Sequence, residues 1–533
     1  MKRKILLVSL VCLLACLSAS AAFAENLQEK ADDLVIYFTN DVHGRIIPDL
    51  KEPSWGYSRI AQEKKNSLAI TKSVLLFSAG DDIQGAPIVN LDQGTNAISF
   101  MNAVGYDAMA LGNHEFDYGS DVLLQLKDKA KFPMLAANVT RTVGGELVFD
   151  ANKVFEEPNG MKICVFGLST PETKTKSKPT NTQGLNIAAG DDLVKAAQSQ
   201  VDGFKDKGCK LVVVLGHLGI DEQSAPNRST DILEKVTGID LFIDGHSHSV
   251  ENQMVGNTLL VSTGCYGHNL GKIVYDGTKL QATVIPALDE DKDVADLVNG
   301  VNDEIQKKLS EVFAKTTVDL NGTRDPGVRT METNLGDFAA DAMLYAAQQV
   351  QGDEVVASIT NGGGIRASIK AGDITMNDMK TVFPFGNTIA VVQVPGKDLL
   401  EVLEAATFST PKAAGGFPQV AGMKFTVDTT VPYENGTQYP DSTFYAPAKP
   451  GSRVTIESVG GKPFDPEALY WIATNDFLAV GGDTYYLFKY SYATSGFNTY
   501  IPLEDALIDY TKTVLNGVVG DQYAEPQGRI TIK

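Results

Sequence analysis

Seven short apolar runs in the first half of the chain set the strongest limit on its fold. They are Leu34–Thr39, Val74–Ser78, Met134–Ala137, Ile163–Leu168, Leu211–Leu215, Leu241–Ile243 and Leu259–Ser262. Most are continuous rather than alternating. A strand with one face in water alternates apolar and polar residues, so an unbroken run calls for cover on both faces. Amphipathic stretches between the runs supply that cover, which points to a layered α/β fold whose loops beyond the strand ends carry the chemistry. At 533 residues the chain exceeds one ordinary core, so two domains are expected.

The start of the chain stands apart from this pattern. Lys2-Arg3-Lys4 precede an apolar run from Ile5 to Leu17, and Ala22-Phe23-Ala24 offers small residues for cleavage. That layout predicts a secretory signal over 1–24, too short and wrongly flanked for a membrane span. Leu13-Leu14-Ala15-Cys16 loosely resembles a lipoprotein box, so a lipid anchor through Cys16 is the alternative. The expected location is secreted and periplasmic. Net charge is −20, and removing three basic residues with the signal makes the chain more acidic still. Such a surface repels polymeric nucleic acid and anionic lipid, so an anionic substrate must be held by metals or a few arginines. Beyond the signal lie Cys164, Cys209 and Cys265, an odd number without close spacing. They form neither a disulfide framework nor a zinc knuckle, and one bridge stays open.

Five segments end an apolar run with ligand-type residues: Asn40-Asp41-Val42-His43, Gly80-Asp81-Asp82, Gly112-Asn113-His114-Glu115-Phe116-Asp117, Gly216-His217 and Asp244-Gly245-His246-Ser247-His248. Five of the six histidines fall there; the sixth, His268, reads as a loop histidine. In extended chain, residues two apart point the same way, so Asp-x-His and His-x-His can each face one ion. Imidazole with carboxylate and amide oxygen suits Zn, Mn, Fe or Co better than Ca or Mg, with Zn, Mn or Co the expected ions. The ligands are too many for one tetrahedral ion and about right for two that share a bridging carboxylate.

A helix from Val294 to Val318 reads as the connector, with Leu297, Val301, Ile305 and Leu309 on its apolar face. The expected domains are 25–292, a connecting helix over 293–318, and 319–533. The second half predicts helices over Leu335–Gln349, Asp398–Ala406 and Leu503–Leu515, with strands near Val355–Thr360 and Ile389–Val394. Thr360-Asn361-Gly362-Gly363-Gly364-Ile365-Arg366 ends a strand with three glycines, which let backbone approach a ligand, and an arginine suited to bidentate anion pairing. Arg329 lies near a helix start, and Phe385 and Phe477 lie beside glycines, where two rings could sandwich a base.

In their order along the chain, the first-half motifs resemble those of the calcineurin-like metallophosphoesterases. The resemblance implies that Asp41, His43, Asp81 and His248 hold one metal. It places Asp81 as a bridge to the second, held with Asn113, His217 and His246, and makes His114 and Asp117 the catalytic dyad. The second half resembles the C-terminal domain of 5'-nucleotidases, including secreted bacterial 5'-nucleotidase/UDP-sugar hydrolases and animal ecto-enzymes. By that likeness Arg329 and Arg366 bind phosphate with help from Asn361, Phe385 and Phe477 stack on the base, and Asp483 bonds the ribose. One departure is that Arg324 is offset by one position from Asp325, where the bacterial enzymes tend to carry a further arginine. The implied fold is a two-sheet α/β sandwich joined by a helix to a smaller α/β domain. With the metals in one domain and the clamp in the other, a rotation about the connector is expected to gate turnover. The implied activity is dinuclear-metal hydrolysis of nucleoside 5'-monophosphates, with UDP-sugars as further substrates, by a monomer with no membrane span. Three alternatives stand beside it: a 2',3'-cyclic phosphodiesterase/3'-nucleotidase, a non-catalytic nucleotide-binding surface protein, and a sulfur-compound hydrolase.

Overall fold

The computed structural model describes residues 27–48, 54–285 and 289–533, so the expected signal and Cys16 lie outside the described residues. The chain forms two compact units. The first runs to Ile83 and takes in Asp92–Thr173 and Gly184–Val301; the second comprises Gln84–Leu91, Lys174–Gln183 and Asn302–Lys533. Two short excursions from the first half therefore belong to the second unit.

Twelve strands build two sheets in the first unit: β1 (Leu34–Thr39), β2 (Ser73–Ser78), β3 (Ala108–Ala110), β4 (Met134–Leu135), β5 (Asn152–Glu156), β6 (Lys162–Ser169), β7 (Leu211–His217), β8 (Leu241–Ile243), β9 (Val250–Val255), β10 (Thr258–Thr263), β11 (Leu270–Tyr275) and β12 (Leu280–Ile285). One sheet has the order β12-β11-β1-β2-β3-β4 and the other β9-β10-β8-β7-β6-β5. The neighbours from β1 to β4 are parallel, as are β6, β7, β8 and β10, while the outer strands are antiparallel.

The unbroken apolar runs are explained by two cores. Leu34, Ile36 and Phe38 alternate toward a core shared with Val165, Val213, Leu215 and Ile243 of the other sheet. The opposite faces of β6, β7 and β8 send Phe166, Val214 and Phe242 against Leu193, Ala197, Val201 and Phe204 of the helix Gly190–Phe204. Both side-chain directions of a strand thus meet apolar partners, and the polar half of the usual alternation has no place to go.

Cys164 in β6 and Cys209, just before β7, form a disulfide with Cα atoms 5.8 Å apart. The bridge closes a 45-residue separation, a constraint worth about 2–4 kcal/mol in the unfolded chain. Replacing both cysteines by alanine is expected to lower the unfolding free energy by about that amount. Denaturant midpoints of oxidised wild type and the double variant measure it, and coincident midpoints would refute it.

The connector differs from its expected extent. The helix α1 spans Lys292–Leu309, and β13 (Val312–Thr316) then pairs with the strand Gly372–Thr375. The run Val312 to Val318 is rich in β-branched residues, which favour a strand over the last turns of a helix. Val294, Val298, Ile305 and Leu309 are buried, whereas Leu297 is 40% exposed, so the apolar stripe is rotated from the one expected.

The second unit is organised on a five-stranded sheet. Its strands are β14 (Val355–Asn361), β15 (Thr388–Pro395), β16 (Pro418–Ala421), β17 (Leu469–Asn475) and β18 (Phe497–Pro502), in the order β16-β14-β17-β15-β18. One face packs on α2 (Asn334–Gln351), where Thr333 caps the start by accepting from the Gly336 N–H at 3.1 Å. The other face packs on the helix Gly396–Ala406 through Leu399, Val402 and Leu403. Among the described residues, no helix is long and apolar enough to cross a membrane.

Candidate metal and catalytic site

The candidate ligands of the first unit stand where the parallel strands end. Asp41 and His43 follow β1, Asp81 follows β2, Asn113 and His114 follow β3, His217 closes β7, and His246 and His248 follow β8. Five of these residues hold left-handed backbone: Asp41 (φ 51), His43 (φ 48), Asp81 (φ 60), His246 (φ 78) and His248 (φ 57). Such conformations are rare outside glycine and cluster where a site over-determines the backbone. Gly112 permits the closest approach, because a Cβ there would lie 2.2 Å from Asp81 Oδ1.

Asp41, His43 and His248 offer ligand atoms within 4.8 Å of one another, and so do Asp41, Asp81 and His217. His43 Nε2 faces His248 Nε2 at 3.2 Å. Asp81 Oδ2 lies 3.8 Å from His43 Nε2 and 3.1 Å from His217 Nε2, between the two groups, while its Oδ1 accepts from the His114 N–H at 2.8 Å. Asp41 is common to both groups. His246 lies outside them; its Nε2 meets Glu172 Oε2 at 2.6 Å, its ring centroid is 5.2 Å from that of His217, and its backbone N–H donates to Asp41 Oδ2 at 3.0 Å.

These residues fit a divalent cation. His217 Nδ1 donates to the Ala79 carbonyl at 2.6 Å, which leaves Nε2 with its lone pair. That Nε2 faces the Asp81 carboxylate, while Asn113 Oδ1 is buried and makes no hydrogen bond. An unsatisfied acceptor beside buried carboxylates is costly unless an ion answers it. The electrostatics agree. Burial alone would lower His217, yet the carboxylates of Asp81 and Asp41 push it up to about 10. Burial alone would raise Asp41, yet His248 and His217 hold it below the usual carboxylate range. A site that binds a proton this tightly presents the field that a divalent cation would neutralise.

The structure brings His114 and Asp117 together, with His114 Nδ1 2.6 Å from Asp117 Oδ2. The His114 ring is 5.2 Å from that of His43.

Several supporting residues carried no role in the sequence. Glu115 accepts from the backbone N–H groups of Gly112, Asp81 and Asp82 at 2.7, 2.8 and 2.9 Å, tying the loops after β2 and β3 together. Burial and the neighbouring Asp81 push its carboxyl up to about 7. Asn40 donates to Asp41 Oδ2 and to the Gly264 carbonyl, both at 2.7 Å. Tyr266 sets its ring 5.6 Å from His43 and 5.5 Å from His248. Glu172 had a readable signal, because it too follows the end of an apolar strand, β6.

In the second unit, Asn361 donates to Asp483 Oδ2 at 2.9 Å and accepts from Asn475 at 3.1 Å. The Arg366 guanidinium lies 5.5 Å from the Phe385 ring centroid. Arg329 and Phe477 are half-buried, and Phe477 packs on the core. The glycines serve protein backbone: a Cβ on Gly362 would lie 1.9 Å from the Val328 carbonyl, so the Asn361–Arg366 loop abuts the segment that carries Arg329. His268 contacts Tyr266, with ring centroids 6.1 Å apart.

Comparison with known proteins completes the description. The calcineurin-like phosphoesterase profile matches residues 34–250, and the profile of the 5'-nucleotidase C-terminal domain matches residues 312–490. The chain is 31% identical over 510 residues to the trifunctional nucleotide phosphoesterase protein YfkN of Bacillus subtilis (strain 168), covering 86% of this chain and 32% of that protein, so it spans about a third of that relative. It is 29% identical over 546 residues to a snake venom 5'-nucleotidase of Crotalus adamanteus, covering 91% of this chain and 86% of the relative. The crystal structure of a 5'-nucleotidase precursor from Thermus thermophilus superposes with a TM-score of 0.78 at 27% identity, covering 94% of this chain and 99% of the other.

Proposed function

We propose that this chain, which belongs to the 5'-nucleotidase family as a metal-dependent phosphoric monoester hydrolase, releases phosphate from nucleoside 5'-monophosphates, splits UDP-sugars as well, and acts as a secreted, periplasmic enzyme. The observation that carries the reading is the His114–Asp117 pair, 2.6 Å apart beside the Asp81 loop. A protein that only bound nucleotide would need no such dyad.

In this reading Asp41, His43, Asp81 and His248 would hold one divalent cation, and Asp81, Asn113, His217 and His246 would hold a second. When bound, the cations supply Lewis acidity toward the phosphoryl oxygens and toward water. Asp117 accepts a hydrogen bond from the His114 Nδ1–H, which orients the ring and stabilises its charged form. His114 Nε2 then carries the proton that steadies the phosphoryl oxygens and assists the leaving oxygen. Arg329 and Arg366 neutralise phosphate charge, Phe385 and Phe477 stack on the base, and Asp483 with Asn361 binds the ribose.

Phosphate release from AMP, 3'-AMP, 2',3'-cyclic AMP and UDP-glucose tests this, using chelator-stripped protein with Mn, Zn, Co or Mg restored. Metal-dependent release from AMP is the expected result, and the UDP-glucose reaction reads the breadth. Release from 3'-AMP and the cyclic substrate with none from AMP would overturn the 5'-nucleotidase reading.

A further inference from the structure

The carboxylate assigned to the ribose does not stand alone. Asp483 is 4% exposed and holds left-handed backbone at φ 50. Its Oδ2 is engaged by Asn361, and its Oδ1 lies 3.3 Å from Lys176 Nζ, an ion pair across 307 residues of sequence. Lys176 comes from the Lys174–Gln183 excursion, which is part of the second unit. Two further contacts fix the excursion on the same loop. The Asp483 N–H donates to the Thr175 carbonyl at 3.0 Å, and Lys178 Nζ donates to Asp476 Oδ2 at 2.6 Å. The Lys176 ammonium also lies 5.2 Å from the Phe444 ring centroid.

An ammonium has three donors, and the Asp483 bond uses one. Each carboxylate oxygen can accept twice, so Oδ1 and Oδ2 both keep a lone pair. The Lys176 side chain is 15% exposed against 4% for Asp483, so the ammonium is the more open edge of the pair. A carboxylate beside an ammonium matches a vicinal diol: one hydroxyl donates to the first, and the neighbouring oxygen accepts from the second. A lone carboxylate would offer no donor to that second oxygen.

We propose that Lys176 is a further substrate-binding residue that donates to one oxygen of the ribose diol while Asp483 accepts from the other hydroxyl. This rests on the nucleotidase reading above. Lys176 thereby selects ribonucleotides over deoxynucleotides, because the analogue without the contacted oxygen leaves one donor of the half-covered ammonium without its partner.

The test compares wild type, K176M and K176R on AMP, 2'-deoxy-AMP, 3'-deoxy-AMP and p-nitrophenyl phosphate. For K176M, KM for AMP is expected to rise about tenfold with kcat unchanged, as for a lost charge-assisted hydrogen bond. One deoxy analogue, the one lacking the contacted oxygen, should bind wild type and K176M equally, and p-nitrophenyl phosphate should not distinguish them. K176R, which keeps the donors, should recover much of the AMP affinity. An unchanged KM for AMP in K176M overturns the proposal, as does an equal rise for AMP and both deoxy analogues. A wild type that cleaves p-nitrophenyl phosphate but no nucleotide overturns the nucleotidase reading and this inference with it.

Discussion

Replacing His114 by alanine is expected to lower phosphate release by about 10²–10⁴-fold while metal content stays at the wild-type level. The separation of the two effects follows from the geometry. The His114 backbone N–H, not its ring, donates to Asp81 Oδ1 at 2.8 Å, so the alanine variant keeps the bond that orients this carboxylate. Glu115, next in the chain, still ties the Gly112 and Asp81 loops together. What disappears is the imidazole whose Nδ1 is held by Asp117 at 2.6 Å, and with it the proton available at Nε2. Steady-state phosphate release and atomic spectroscopy on the same preparation measure both quantities. A variant that turns over at the wild-type rate would refute the role; one that has lost its metals would show the ring to be structural.

The largest expected effect belongs to Asp81→Asn. Its Oδ2 stands 3.1 Å from His217 Nε2 and 3.8 Å from His43 Nε2, so one anionic oxygen lies beside a histidine of each group of candidate ligands. Asparagine can keep the oxygen that accepts from His114, but it then turns an NH₂ toward His217, a donor where a cation needs an anion. Cations bound there would also lose an anion that offsets their charge. Activity is expected to fall by about 10³-fold or more, beyond the 10–100-fold that follows loss of a residue that only orients a ligand. Metal content should drop with it. Full occupancy at an undiminished rate would exclude Asp81 as the shared ligand.

The first unit was legible because its signal is local. An unbroken apolar run that ends in Asp or His announces a buried strand and a ligand-bearing loop within ten residues, and β1, β2, β7 and β8 all follow that rule. The His114–Asp117 contact spans three positions and could be read the same way. The contacts that were not legible join distant segments. The Cys164–Cys209 bridge spans 45 residues, and Lys176 reaches Asp483 across 307; no spacing rule names such partners in advance. Glu115 was hidden for another reason, since its partners are backbone N–H groups, which any sequence supplies. The helix stops at Leu309, short of the extent its 3.6-residue period suggests, because the β-branched run beyond it pairs as Val312–Thr316 with the distant Gly372–Thr375.

The left-handed turns at Asp41, His43, Asp81, His246 and His248 set stability and function against each other at the same positions. Glycine adopts such backbone without penalty, whereas each aspartate or histidine held there stores about 1–3 kcal/mol. A search for hardier variants that scored only folding would therefore favour glycine at these five places, and each success would erase a candidate ligand. Thermal robustness has to be sought elsewhere in the molecule, because here the strain is the cost of aiming the side chains.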